Sequence, residues 1–109
     1  MEKIYQKGHF LYAYDKNIMG YCAIYANDRE KRNAYITLLC VKPEFQEKHI
    51  GTILLNSSLE LAMKYHMKSC VLEVKKNNIS AIRFYQSNGF VFFQEKEDSF
   101  YMKRELSTY

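Results

Sequence analysis

Between residues 34 and 74 the spacing of apolar residues changes twice, and no other feature of this 109-residue chain restricts its fold as strongly. AYITLLCV (34–41) is a nearly continuous apolar run, the pattern of a strand covered on both faces. Pro43 ends it. From Ile50 onward, Ile50, Leu54, Leu55, Leu59, Leu61, Ala62 and Tyr65 recur at intervals of three and four, so the period becomes helical and predicts a helix to about Met67. CVLEV (70–74) reads as a second buried strand. Strand, helix and strand in this order imply a parallel pair joined by a right-handed crossover.

The flanks fit around that unit. His9 to Tyr14 and Ile18 to Tyr25 are rich in aromatic and β-branched residues and are separated by Asp15-Lys16-Asn17, which predicts a β-hairpin. The charged stretch 27–33 makes a solvated turn. Asn77 or Asn78 can cap a second helix carrying Ala81, Ile82, Phe84 and Tyr85, and Gly89 supplies the left-handed residue that stops it. FVFFQ and SFYMKREL, separated by residues 95–98, read as a closing antiparallel hairpin. The expected order is ββ-β-α-β-α-ββ: a single α/β (α+β) domain over residues 1–109, with a mixed sheet of about six strands and two main helices.

Composition excludes several classes. Hydrophobic residues make up 48%, with one proline and four glycines, so the chain should fold around one core. No apolar run approaches membrane-spanning length, and the first ten residues lack a signal-type apolar segment. The net charge of +4 is dispersed among acidic residues and forms no basic stripe, which argues against nucleic acid. Cys22, Cys40 and Cys70 are odd in number and embedded in apolar sequence, as suits buried thiols in a reducing cytoplasm. His9, His49 and His66 show no ligand spacing, so no metal site is expected.

The loop 41–52 (VKPEFQEKHIGT) feeds the amino terminus of the first helix. Unpaired amides and a partial positive charge make such a terminus an anion site. Gly51, lacking a Cβ, lets a phosphate approach the main chain, and Thr52 can add a hydroxyl. This points to the pyrophosphate of a nucleotide-type cofactor.

Read together, Gln46-x-x-His49-x-Gly51 between strand and helix, followed by NxxAxxFYxxxGF at 78–90, closely resembles the GNAT superfamily of acyl-CoA-dependent N-acetyltransferases. That family's loop reads V-x-P-x-(Y/F)-(Q/R)-x-x-G-x-(G/A). Here Val41, Pro43, Phe45, Gln46 and Gly51 meet the pattern, while His49 stands where glycine is usual, at a position where histidine should be tolerated. The resemblance covers about residues 10–106. It implies acetyl-CoA as cosubstrate, with the pantetheine arm paired to the backbone around Leu39, Cys40 and Val41 like an added strand. It further implies phosphates on Glu47, Lys48, His49, Ile50, Gly51 and Thr52 next to Gln46, a cofactor hydrogen bond from Asn78, and Tyr85 as the acid for the departing thiolate. Glu73 stands where some members place a general base; others use a carboxylate near the position of Tyr35, where this sequence has none. An acidic residue alternating with Leu72 and Val74 can also simply face water.

The implied reaction is direct acetyl transfer to an amine of a small molecule or protein. The family usually has a strand and two helices ahead of the first hairpin read here, and those helices help to shape the acceptor pocket. Their apparent loss leaves a second reading open, a non-catalytic or partner-dependent acetyl-CoA-binding module. The exposed sheet edge it would leave at the amino-terminal side predicts a homodimer.

Overall fold

The computed structural model describes residues 3–7 and 10–106. Its elements are β1 (Lys3–Lys7), β2 (Phe10–Asp15), β3 (Asn17–Tyr25), β4 (Asn33–Val41), a 3-10 turn (Pro43–Lys48), α1 (Ile50–Lys64), β5 (Ser69–Lys75), α2 (Ile79–Ser87), β6 (Val91–Glu95) and β7 (Ser99–Glu105). The strands form one mixed sheet of seven in the order β1-β2-β3-β4-β5-β7-β6, in which only β4 and β5 run parallel. The crossover inferred from the change of period is therefore present, carried by α1. β1 is an element that the sequence reading did not assign. Its KIYQK is dominated by polar residues, with half-buried Ile4 packed on the core. Residue 9, read as the start of the first hairpin, lies outside the described residues.

Both helices lie on one face of the sheet. Leu54, Leu55, Leu59 and Ala62 of α1 are buried against Leu11, Ala13, Cys22, Ile24 and Ile36, while Ile82 of α2 and Phe90 complete the same core. The extents of 38 × 33 × 20 Å agree, since 20 Å is the thickness of a sheet with a single helix layer. The expectation that 34–41 is covered on both faces fails for this reason. Ala34 and Ile36 are buried, but Tyr35, Leu38 and Cys40 are exposed on the open face. Cys40 is thus an exposed thiol, whereas Cys22 and Cys70 are buried as expected.

α1 ends at Lys64, three residues before the predicted stop. Tyr65 is the cap, His66 takes a left-handed φ of 65°, and the amides of His66 and Met67 bond back to the carbonyls of Met63 and Ala62 at 2.9 and 3.0 Å. This is a Schellman motif built on histidine, with buried Met67 as its apolar anchor.

β3 comes close to both β4 and α1 at Gly20. A Cβ there would lie 2.7 Å from the carbonyl oxygen of Cys40 and 3.1 Å from a methyl of Leu54. Backbone on one side and a packed leucine on the other leave no easy relaxation. Gly20→Ala is predicted to lower unfolding free energy by about 1–3 kcal/mol in denaturant titrations, the range typical of overpacking.

Candidate active site

The site is created where β4 and β5 part. Their parallel register runs from Asn33 opposite Ser69 to Ile36 opposite Leu72 and stops there. At the same point β4 carries an extra residue. Ala23 faces Leu38 and Ile24 faces Ile36, so Thr37 is a bulge against β3. The bulge shifts the alternation of β4: Thr37 and Leu38 are both exposed, after which Leu39 and Val41 turn to the helix side. Residues 37–41 of β4 and 73–75 of β5 then border a gap instead of pairing with each other.

Three hollows meet at this gap. On the helix side, a cleft of ≈ 450 Å³ is lined by Leu39, Val41, Gln46, His49, Gly51 and Thr52, with Asn78, Ser80, Ala81, Phe84 and Tyr85 opposite. In the gap itself, ≈ 220 Å³ lies between β4, β5 and α2, touching Leu39, Glu73, Asn78, Ala81 and Tyr85. On the open face, ≈ 380 Å³ is bounded by Tyr35, Thr37, Glu73, Lys75 and Tyr101. Shared residues make them neighbours: Leu39, Asn78, Ala81 and Tyr85 border the first two, and Thr37, Glu73 and Lys75 the last two.

The helix-side cleft is bounded by the start of α1. His49 adopts φ 60°, ψ 21°, the left-handed turn that carries the chain from the 3-10 segment into the helix. No side chain caps this terminus, and the first bond back along the helix joins the amide of Ile53 to the carbonyl of His49 at 3.1 Å. The amides of the first turn are therefore left without intrahelical acceptors. Ile50 is 2% exposed, its side chain buried in the core and absent from the cleft lining. The Gln46 amide donates to the carbonyl of Val41 at 3.2 Å, tying the loop to the end of β4. The side chains of Glu47 and Lys48 lie outside the described residues.

Gly51 has no positive φ, and a Cβ there would meet the Phe84 ring at 3.4 Å and Val41 at 3.6 Å, ordinary contact distances. Neither dihedral strain nor protein packing demands glycine. The added methyl would project among residues that line the cleft. Gly51→Ala is accordingly predicted to be neutral or stabilising by up to about 1 kcal/mol, and to lose at least tenfold in affinity for acetyl-CoA when measured by calorimetry. Unchanged affinity would remove the main chain at Gly51 from the binding surface.

The opposite wall is α2. Asn78 accepts from the amide of Ala81 at 3.2 Å, so it is the predicted helix cap while also lining the cleft. At the far end Gly89, at φ 90°, sends its amide to the carbonyl of Gln86 at 3.1 Å, and Phe90 sends its own to that of Tyr85 at 3.0 Å. This second Schellman motif buries Phe90 at 1% exposure and sets its ring 5.7 Å from Tyr85, edge-on. Tyr85 is thereby held at the cleft. Burial pushes its hydroxyl up to about 12, with nearby Cys22 and Cys70 adding to the rise, so it is neutral and protonated throughout the physiological range. Glu73 sits across the gap on β5, exposed, and accepts from the hydroxyl of Ser99 at 2.5 Å. Tyr101 stands opposite it in register, with the Lys96 ammonium 4.9 Å above its ring.

The sequence reading did not single out Ser80 or Thr37, nor Lys75 and Tyr101 on the open face. Ser80 donates to Asn78 at 3.3 Å, and no local pattern marks it. The others become neighbours only through the seven-strand register.

The profile of the Acetyltransferase (GNAT) family matches residues 1–90. Streptothricin acetyltransferase A of Bacillus subtilis is 32% identical over 87 residues, covering 78% of this chain and 48% of that protein. Among solved structures, PaiA N-acetyltransferase from Thermoplasma acidophilum in complex with coenzyme A superposes with TM-score 0.80 at 27% identity, covering 88% of this chain and 59% of that one. Ard1 from Thermoplasma volcanium gives TM-score 0.82 at 25% identity, covering 91% and 71%. The chain belongs to the GNAT acetyltransferase family, whose cosubstrate is acetyl-CoA. It spans about half the length of the curated relative. Among the described residues, no helix is long and apolar enough to cross a membrane.

Half-buried Tyr85 and two core thiols behind it titrate above their ordinary values. Burial raises the Cys22 thiol to about 11, the Cys70 thiol to about 12 and Tyr85 to about 12. All three folded values lie above the unfolded ones, so the unfolded chain loses its protons first as pH rises. Their contribution is complete below about pH 9 and is lost between about pH 9 and 12. Denaturant unfolding under reducing conditions should give a stability lower by roughly 2 kcal/mol or more at pH 10.5 than at pH 8.

Proposed function

We propose that this chain transfers an acetyl group from acetyl-CoA to an amine of a small molecule or a protein by direct attack. One observation carries the reading: the cleft at the α1 terminus and a pocket on the other face both adjoin the hollow in the β4–β5 gap. Tyr85 lines the cleft and the gap, and Glu73 lines the gap and the far pocket. A cosubstrate and an acceptor can then meet between these two side chains without either having to leave its own face.

The residues present fit acetyl-CoA. The first-turn amides of α1 at Ile50, Gly51 and Thr52, with His49 and the 46–48 segment around them, form a cradle for a pyrophosphate. The unpaired edge of β4 at Leu39, Cys40 and Val41 offers backbone groups to an amide-bearing arm, as a sheet edge does to an added strand. Asn78 lies within the same wall. Bound acetyl-CoA supplies an activated acyl thioester. Tyr85, kept neutral by burial, is the proton donor to the leaving sulfur. Glu73, oriented by Ser99, accepts a proton from the attacking amine, directly or through water. No protein nucleophile is required.

The proposed setting is cytoplasmic, supported by three cysteines that form no disulfide, and the proposed working unit is a homodimer. Tyr85→Phe should reduce acetyl transfer, measured by thiol release with a panel of small amines and amino-terminal peptides, by about 10²-fold or more. Its calorimetric affinity for acetyl-CoA should stay within about twofold of the parent, because the hydroxyl acts on the leaving group and adds little to ground-state binding. Full activity of the variant would exclude Tyr85 as the acid. Binding by the parent with no transfer to any amine would favour a non-catalytic acetyl-CoA module.

A further inference from the structure

The open-face pocket beside the gap holds both signs of charge, and they are not spent on each other. Glu73 and Lys75 stand two residues apart on β5, about 7 Å along the strand, and both line the ≈ 380 Å³ of this hollow. Glu73 is engaged by the hydroxyl of Ser99, while exposed Lys75 forms no ion pair among the described residues. A second cation stands close by. The Lys96 ammonium lies 4.9 Å above the ring of Tyr101, which lines the pocket and faces Glu73 in register. A bond to Tyr101, and after it the Glu73 carboxylate, raises Lys96 above its ordinary range and keeps its charge. The carboxylate nearest the gap is thus flanked by two ammonium groups, with Tyr35 and Tyr101 as aromatic walls.

We propose that the acceptor is an amine that also carries a carboxylate, best matched by an α-amino acid with an aromatic or apolar side chain, and that Lys75 selects it. With the amine at Glu73, Lys75 can reach a carboxylate a few bonds away, because its charge sits at the end of a flexible four-carbon stem. The pocket is at the small end of the range for small-molecule sites, which suits a ligand of amino-acid size. Tyr35 and Tyr101 offer ring surface to its side chain. A diamine meets the opposite situation. Its second ammonium would be brought beside Lys75 or Lys96, and such like-charge contacts reject a wrong ligand. In the transfer the bond from nitrogen to the acetyl carbon forms and the carbon–sulfur bond breaks; the acceptor's carboxylate changes no bond. The assignment rests on the transferase reading above. A peptide that begins with an acidic residue offers the same amine and carboxylate, so the test must separate the two sources.

Selection is read from kcat/KM for L-phenylalanine divided by that for 2-phenylethylamine, which lacks only the carboxylate. Comparing this ratio between variants cancels the intrinsic reactivity of the two amines. Lys75→Glu should lower it by about tenfold or more, the scale of one charge-assisted bond. Lys75→Arg, which keeps the charge, should hold it within about threefold of the parent. 1,5-Diaminopentane should be the poorest acceptor of the parent and improve in Lys75→Glu. A higher kcat/KM for a glutamyl peptide, with the same dependence on Lys75, would uphold the selection of an anion and place it on a peptide terminus. A ratio unmoved by Lys75→Glu, or a parent that prefers the diamine, would overturn the proposal. Amide chemical shifts give a readout free of turnover: millimolar L-phenylalanine should shift residues 35–37 and 73–75 in the parent and not in Lys75→Glu. Those shifts without transfer to any amine would refute the transferase reading and leave the anion site standing. Neither shifts nor transfer would refute both.

Discussion

The early end of the parallel pairing between β4 and β5 is the constraint on which the rest of the site depends. Four register pairs hold the strands together, and the sheet then opens beside the bulge at Thr37. An extra residue on one strand bends it and increases its twist. Here it also reverses the alternation, so that Leu39 and Val41 face the cleft while Cys40 faces the other way. The cleft and the open-face pocket both border the gap that follows. The same opening leaves a stretch of strand edge unpaired, and this edge is the feature an extended amide-bearing ligand can use.

The walls of the gap are fixed by helix ends and not by helix middles. α1 presents its uncapped amino terminus to the cleft because His49 accepts the left-handed conformation needed to turn into it. Histidine is among the non-glycine residues that tolerate that region. α2 is held at both ends, by Asn78 at its start and by Gly89 and Phe90 at its finish. Phe90 anchors the second motif under Tyr85, so the residue that closes the helix also positions the phenol. One stretch of sequence, NxxAxxFYxxxGF, therefore carries a cap, a stop, a core anchor and the candidate acid.

Much of this was legible in the sequence because it rests on local rules. The switch of apolar period between 34 and 74 marks the crossover, Asn78 and Gly89 mark the limits of α2, and Gly51 marks the start of α1. Less visible was whatever depends on register. β1 is a short edge strand whose lysines and glutamine leave it without a strand-like apolar pattern. The bulge at Thr37 leaves no signature in AYITLLCV, where every neighbour is apolar or aromatic, and the same uniformity made a one-sided strand look covered on both faces. The exposure of Cys40 follows from that. The pairing of Tyr35, Glu73 and Tyr101 around one pocket joins three strands, and no spacing along the chain encodes it.

In the proposed complex the α1 terminus and the free edge of β4 together hold acetyl-CoA. Titration of isotope-labelled protein with acetyl-CoA, followed by amide chemical shifts, tests it most directly. The largest shifts should fall on the amides of residues 50–52 and 37–41, with α2 around Asn78 and Tyr85 next, and the strands distant from the gap should be little changed. Saturable binding that leaves those amides unmoved, or no shift at millimolar acetyl-CoA, would contradict it.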